Sequence, residues 1–242
     1  MKRAIVFGAT GGIGQSICTD LAEAGWSLYI HCSSNWTTAC EMSQSFMKQY
    51  PTQDFLPLKF SFLAENNELE KMVQSLLPVN AVIFAQGITD YHLLSDQHLD
   101  KVDEIMQVNL VTPIKLTSLL EPLLLKNDFS RIVFIGSVYG AQGSAMEAVY
   151  SATKAGLSRF TQAYAREVAS ANLTVNVIAP GAVDTSMNKV IPAEEMAEVV
   201  EEIPAGRLAS GNDISFWVKA LLDSNSTYLT GQTLYVSGGW LT

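Results

Sequence analysis

Short runs in which almost every position is apolar alternate along the chain with longer segments whose apolar residues recur every three or four places. The runs Arg3–Phe7, Ser27–Cys32, Phe55–Lys59, Ala81–Ala85, Arg131–Ile135, Val175–Ala179 and Thr233–Val236 predict β-strands. Helical periodicity covers about Ile13–Ala24, Thr37–Gln49, Glu68–Leu77, Leu99–Lys126, Val149–Ala171 and Asp213–Leu222. Strands too uniformly apolar to face water on one side, each followed by an amphipathic helix, predict a parallel sheet with helices on both faces. No linker, repeat or low-complexity tract interrupts the alternation, which predicts one domain over 1–242. The least regular stretch, Gly181–Gly206, opens at Pro180-Gly181 and closes at Pro204 and Gly206 around a short helical pattern. An excursion of that length late in an α/β chain predicts a lid at about 181–206.

Composition narrows the class. With 48% hydrophobic and 16% charged residues, the 242-residue chain cannot be intrinsically disordered. Fifteen Lys plus Arg against 24 Asp plus Glu leave a net charge of −9 with no basic run, which excludes nucleic acid and an anionic membrane surface as expected partners. The four apolar residues after Met1-Lys2-Arg3 are too few for a signal peptide, and no apolar run is long enough to span a bilayer, so a cytoplasmic protein is expected. Cys18, Cys32 and Cys40 form no CxxC pair, and His31, His92 and His98 lack ligand spacing. No disulfide and no metal site is predicted, and the histidines read as structural or solvated.

The candidate chemistry begins directly after the first strand. Gly8-Ala9-Thr10-Gly11-Gly12-Ile13-Gly14 turns from strand to helix. Glycines let the backbone bend tightly and approach a pyrophosphate, and the helix N-terminus offers free N–H groups and a positive dipole end. Gly8, Thr10, Gly11, Gly12, Ile13 and Gly14 are therefore candidate dinucleotide contacts, with a plain tight turn as the alternative. The second strand should end at the adenosine ribose, where a carboxylate would select NAD. The sequence there is His31-Cys32-Ser33-Ser34-Asn35, without a carboxylate, and Ser33, Ser34 and Asn35 can donate to a phosphate, which favours NADP(H).

A second cluster lies further on. Gly136-Ser137 follows a buried strand, and Tyr150-Ser151-Ala152-Thr153-Lys154 opens the next helix. Tyr150 and Lys154 lie one helical turn apart on one face. An ammonium close to a phenol pulls the phenol pKa down from about 10 toward working pH, making it a proton donor or acceptor for a carbonyl–alcohol pair. Ser137 can hold the same oxygen. The alternative is an ordinary surface Tyr/Lys pair. Asn109 sits within a long helical pattern, where it can hold a water, local carbonyls or its own turn.

In order and approximate spacing, Gly8-x-x-x-Gly12-x-Gly14, Asn109, Ser137, Tyr150-x-x-x-Lys154, Pro180-Gly181 and the ending Tyr228-Leu229-Thr230-Gly231-Gln232 with Gly238-Gly239 resemble the short-chain dehydrogenase/reductase superfamily over the whole chain. The resemblance implies a Rossmann-type, doubly wound, mostly parallel seven-stranded sheet with helices on both faces. It implies Tyr150 as catalytic acid and Lys154 as its activator and ribose contact, with Ser137 orienting the carbonyl and Asn109 supporting a proton-relay water. Gly87, Val183 and Thr185 join the cofactor contacts. It also implies a homotetramer or homodimer formed through Leu99–Lys126 and Val149–Ala171.

Three positions depart from the family pattern. Phe7 replaces its usual Thr, Phe84-Ala85-Gln86-Gly87 replaces Asn-Asn-Ala-Gly, and Ser61 replaces an Asp that meets adenine. These remove the usual brace of the central sheet and two contacts near the adenosine. Within the superfamily the chain is similar to the 3-oxoacyl carrier-protein reductase branch. It is similar also to an offshoot that reduces a 5-aminopentanone group on a lysine of elongation factor P. Glu194, Glu195, Glu198, Glu201 and Glu202, with no basic residue between Val190 and Gly206, suit a substrate bearing a free amine, or else form a solvated helix face. The expectation is an NADPH-dependent ketone reductase acting on that group. The alternatives are a 3-oxoacyl thioester on acyl carrier protein and an NADPH-sensing regulator without turnover.

Overall fold

The computed structural model describes residues 2–185 and 193–240. Within them lie strands β1 (Arg3–Phe7), β2 (Ser27–Cys32), β3 (Phe55–Lys59), β4 (Ala81–Phe84), β5 (Ser130–Ile135), β6 (Leu173–Pro180) and β7 (Thr233–Val236). They form one sheet in the order β3-β2-β1-β4-β5-β6-β7, and all six neighbouring pairs are parallel. The helices in chain order are α1 (Gly12–Glu23), α2 (Trp36–Gln49), α3 (Asn66–Gln74), α4 (Leu99–Met106), α5 (Thr112–Leu124), α6 (Tyr139–Gln142), α7 (Ala148–Val168), α8 (Ala193–Glu202) and α9 (Gly211–Leu221). None among the described residues is long and apolar enough to cross a membrane.

Alternation along each strand divides the core in two. Ala4, Val6, Leu28, Ile30, Ala81, Ile83 and Val133 pack with Ile17 and Leu21 of α1, Phe46 of α2 and Val218 of α9. The intervening Ile5, Phe7, Val82, Phe84, Ile132 and Phe134 meet Leu69 of α3, Leu116 and Leu120 of α5, and Leu157 of α7. Helices therefore cover both faces, which is why the central strands are apolar at nearly every position.

The departures from the family pattern at Phe7 and Phe84 find their physical answer on the second face. Phe7 stacks on Phe84 with ring centroids 5.1 Å apart, and Phe84 on Phe134 at 4.8 Å. A ladder of rings thus crosses β1, β4 and β5, with Phe7 and Phe84 at the two positions where the family pattern is polar. Each such pair contributes about 1 kcal/mol beyond its buried area.

Two helical expectations are corrected. The stretch read as one helix over Leu99–Lys126 is α4, a π-turn at Gln107–Val111, and then α5. Pro113 has no N–H for the Asn109 carbonyl four residues back, and its ring needs room there, so the backbone widens around Asn109. The stretch read as Val149–Ala171 ends as a helix at Val168, with a 3₁₀ turn over Ala169–Ala171. Of the predicted lid at 181–206, α8 occupies 193–202, and 186–192 lie outside the described residues.

From β1 the chain moves outward to β2 and β3, then crosses back to β4 on β1's other side. The loops after β1 and β4 consequently diverge and leave a crevice at the carboxyl ends of the strands, where α/β sheets bind ligands.

Candidate active site

The crevice is built on the glycine turn. Gly8 has φ +75°, and a Cβ there would fall 2.6 Å from the Gln86 backbone nitrogen, so the first turn fits against the β4 loop only as glycine. A Cβ on Gly14 would lie 2.1 Å from the Gly8 carbonyl oxygen. The start of α1 carries no side-chain cap at Gly11, which leaves its first N–H groups available to a ligand. From the neighbouring strand, Nδ1 of His31 accepts the Gly8 N–H at 3.1 Å, and its Nε2 lies 3.1 Å from the Phe60 carbonyl. With Nδ1 accepting, Nε2 carries the proton and donates to that carbonyl. His31 is 1% exposed, and burial pushes its pKa down to about 4, so the ring is neutral.

The crevice encloses about 360 Å³. Gly8, Thr10, Gly11, Gly12, Ile13 and Gly14 form one wall. Ser33, Ser34 and Ser61 stand where the chain leaves β2 and β3, and Gly87 and Thr185 also line it. Asn35 does not wall it: it precedes α2 as the N-cap residue and makes no side-chain capping bond. The Ser61 hydroxyl accepts the Leu63 N–H at 3.1 Å, which commits it to its own turn. Gln86 donates through Nε2 to the Val108 carbonyl at 3.3 Å, while its Oε1 is buried with no hydrogen-bond partner. An acceptor left open on the crevice wall suits a hydroxyl donor from a ligand.

The chain's own order did not disclose a cation for the β2 end. The β2–β3 register places Lys59 beside Cys32, close enough for its charge to act on that thiol, one residue before Ser33. A residue 27 positions away in sequence becomes a neighbour only through strand pairing. These features together fit a dinucleotide: open helix N–H groups, a glycine cradle, an orphaned acceptor, and no carboxylate at Ser33-Ser34.

A cavity of about 200 Å³ continues from the crevice, and Ile13, Gln86, Gly87 and Thr185 border both. Ser137, Tyr150, Lys154 and Val183 line it. Lys154 is 3% exposed, its Nζ donating to the Ile135 carbonyl at 2.8 Å and standing 5.4 Å from the Tyr150 ring centre. Burial pushes its pKa down to about 8. The expected lowering of the Tyr150 pKa is corrected. Burial, and then the charge of Glu147, hold the phenol above its ordinary value, and the Ser137 hydroxyl within hydrogen-bonding reach draws it only partly back.

Asn109 is fully buried and does not reach the cavity surface. Its Oδ1 accepts the Ile88 N–H at 2.9 Å, and its Nδ2 donates to the Ile88 carbonyl at 2.8 Å. The widened π-turn aims this side chain at the β4 loop, where a Cβ on Gly87 would approach Lys154 Nζ at 3.5 Å and Asn109 Oδ1 at 3.6 Å. Two further residues went unread in the sequence. Glu147 walls the cavity and accepts the Thr89 hydroxyl at 2.7 Å. Trp240 donates its Nε1–H to Glu202 of α8 at 3.1 Å. Of the five glutamates on α8, Glu195 also borders the cavity.

The model of the short-chain dehydrogenase family matches residues 2–196. Over 241 residues, covering 99% of this chain and 98% of the relative, the protein is 34% identical to the uncharacterized oxidoreductase YmfI of Bacillus subtilis. It is 32% identical to the 3-oxoacyl-[acyl-carrier-protein] reductase FabG of Escherichia coli, over 98% of this chain and 96% of that one. Among solved structures it is similar, at a TM-score of 0.92 and 28% identity, to one from Beutenbergia cavernae provisionally described as an NAD(P)-dependent gluconate 5-dehydrogenase with NADP bound at low occupancy. That match covers 99% of this chain and 96% of the other. The chain belongs to the short-chain dehydrogenase family, and it is an oxidoreductase.

Proposed function

We propose that the protein reduces a ketone to the secondary alcohol with NADPH, and that Ser137, Tyr150 and Lys154 carry the proton transfer. The carrying observation is their position on one cavity wall, continuous with a crevice suited to a dinucleotide. NADPH, when bound, supplies the hydride. Ser137 holds the carbonyl oxygen, and Tyr150 gives it a proton. A phenol held above its ordinary pKa stays protonated at neutral pH, as a proton donor must. Lys154 replenishes the proton and meets the nicotinamide ribose, while Asn109 holds the β4 loop beside it. The glycine turn, Thr10, Ser33, Ser34, Gly87, Val183 and Thr185 contact the cofactor, and Lys59 adds the positive charge that a 2′-phosphate attracts.

The substrate fits a ketone on a protein-borne aminopentanone, the elongation factor P reading, because acidic side chains at Glu147 and Glu195 border the cavity. The identity to 3-oxoacyl carrier-protein reductases favours the second reading, an acyl thioester. The whole chain acts as one cytoplasmic domain with the region around α8 as lid, and it assembles as a homodimer or homotetramer through α4–α5 and α7. Light scattering that gives a monomer overturns the assembly.

Purified protein is offered NADPH with acetoacetyl thioester in one cell and aminopentanone-modified elongation factor P in another, and oxidation is followed by absorbance. Tyr150→Phe is expected to lower turnover of the true substrate by a factor of about 10² to 10⁴. Unaltered turnover in that variant removes Tyr150 from the chemistry, and turnover of the thioester alone establishes the second reading.

A further inference from the structure

Glu147 is placed in a way that catalysis by Ser137, Tyr150 and Lys154 does not require. It stands at the N-cap position of α7 without making a capping bond, and its carboxylate lines the cavity beside Tyr150. Thr89 donates to it at 2.7 Å, and Ser144 supplies a second hydrogen bond. Both donors are neutral, and none of the ion pairs found among the described residues includes Glu147. Lys154, the cation on the same wall, directs its Nζ to the Ile135 carbonyl. The surrounding wall is aromatic and apolar, with Tyr91, Tyr139, Met196, Val199 and Trp240.

Glu147 is half-buried, and a carboxylate partly withdrawn from water without a counter-ion is costly. Burial accordingly lifts the Glu147 pKa, and its charge lifts those of Tyr150 and Tyr139. A cation entering the cavity would meet the carboxylate and, around it, aromatic faces that attract positive charge. It would also cancel the charge that opposes proton release from Tyr150.

We propose that Glu147 is a specificity-determining residue that receives an ammonium group of the ketone substrate, so that the enzyme selects cationic ketones over neutral ones of the same shape. This rests on the ketone-reducing reading of the Tyr150 cluster.

The test uses 4-acetylpiperidine, charged at neutral pH, and cyclohexyl methyl ketone, its neutral isostere, with NADPH at saturation. The parent enzyme is expected to prefer the charged ketone by about tenfold or more in kcat/KM, the range of one charge-assisted hydrogen bond. Glu147→Gln keeps an acceptor for Thr89 and is expected to bring that ratio to about one, while Glu147→Asp restores part of it. An unchanged ratio in Glu147→Gln overturns the proposal and leaves Glu147 as a tie between the β4 loop and α7.

A binding arm separates this outcome from failure of the catalytic reading. Calorimetry with 4-acetylpiperidine compares Tyr150→Phe with Tyr150→Phe/Glu147→Gln, where turnover plays no part. Weaker binding in the double variant supports the ammonium site, and equal binding overturns it. Continued reduction by Tyr150→Phe alone would instead overturn the catalytic reading.

Discussion

The Gly8 N–H donates to Nδ1 of His31 at 3.1 Å, so the first glycine of the turn after β1 is fixed by a side chain from the adjacent strand. The same ring donates to the Phe60 carbonyl and packs edge-on against Phe7 and Phe62. One neutral imidazole thereby ties together the ends of β1, β2 and β3, the three strands whose following loops line one side of the crevice.

Burial of this ring makes the protein acid-sensitive in a defined window. The His31 pKa is about 4 folded and 6.5 in the unfolded chain, so between those values the unfolded state holds the additional proton. Stability is complete above about pH 6.5 and falls as pH drops to about 4, by about 3 kcal/mol from this group. His31→Gln, which retains an acceptor and a donor but does not titrate, is expected to flatten that part of a stability–pH profile measured by urea denaturation. The same steep loss in the variant would assign the acid sensitivity elsewhere.

Lys154 carries the same sign of pH dependence into the cavity, but in a window where its cost is felt at neutral pH. Its pKa of about 8, against 10.5 unfolded, means that stability rises with pH from about 8 to 10.5 and that burying the charge below pH 8 costs about 3 kcal/mol. Lys154→Met forfeits the bond to the Ile135 carbonyl, worth about 1 kcal/mol, and is expected to gain about 2 kcal/mol net at pH 7. Calorimetry should show a Tm several degrees higher in a variant that has lost turnover. A lower Tm would mean that the lysine contributes to the fold.

The ring ladder should be a principal support of the central sheet. Phe84 is 1% exposed between Phe7 and Phe134. Phe84→Ala is expected to cost about 4 kcal/mol, read as a shift of the urea midpoint at unchanged slope. A loss below about 1 kcal/mol would show that neighbouring rings refill the space.

Gly14→Ala tests the turn itself. Its Cβ would fall on the Gly8 carbonyl, which is backbone and cannot rotate away. The expected result is a loss of at least about 2 kcal/mol together with loss of measurable NADPH binding by fluorescence. Parent-like NADPH binding would place the cofactor away from the glycine turn.

Much of this architecture was legible in the residue pattern, because burial on both faces forces a continuous apolar run and the helices must repeat every three to four residues. Arg3–Phe7 and Ser27–Cys32, buried throughout, were read at their observed bounds for that reason, and the half-buried edge strands Phe55–Lys59 and Thr233–Val236 were read at theirs from β-rich composition. The π-turn at Gln107–Val111 was hidden, since its apolar spacing continues the helical one and only Pro113 hints at the break. In the site, Ser137, Tyr150, Lys154 and the glycines stand in local motifs, and local motifs can be read from a string of letters. Glu147 and Lys59 have no motif. The proximity of Lys59 to the β2 end follows from strand register, and the position of Glu147 in the cavity from how α7 meets the β4 loop.

The sequence by itself determined a parallel α/β sheet, a glycine turn after the first strand and a Tyr–Lys pair on one helical face, because each depends on residues close together in the chain. The tertiary structure decided which strands are neighbours, that His31 holds Gly8, and that Asn109 is occupied by the Ile88 backbone. It also decided that burial and Glu147 raise the Tyr150 pKa where Lys154 was expected to lower it. Desolvation and charge act through space, and only the folded chain sets the distances over which they act.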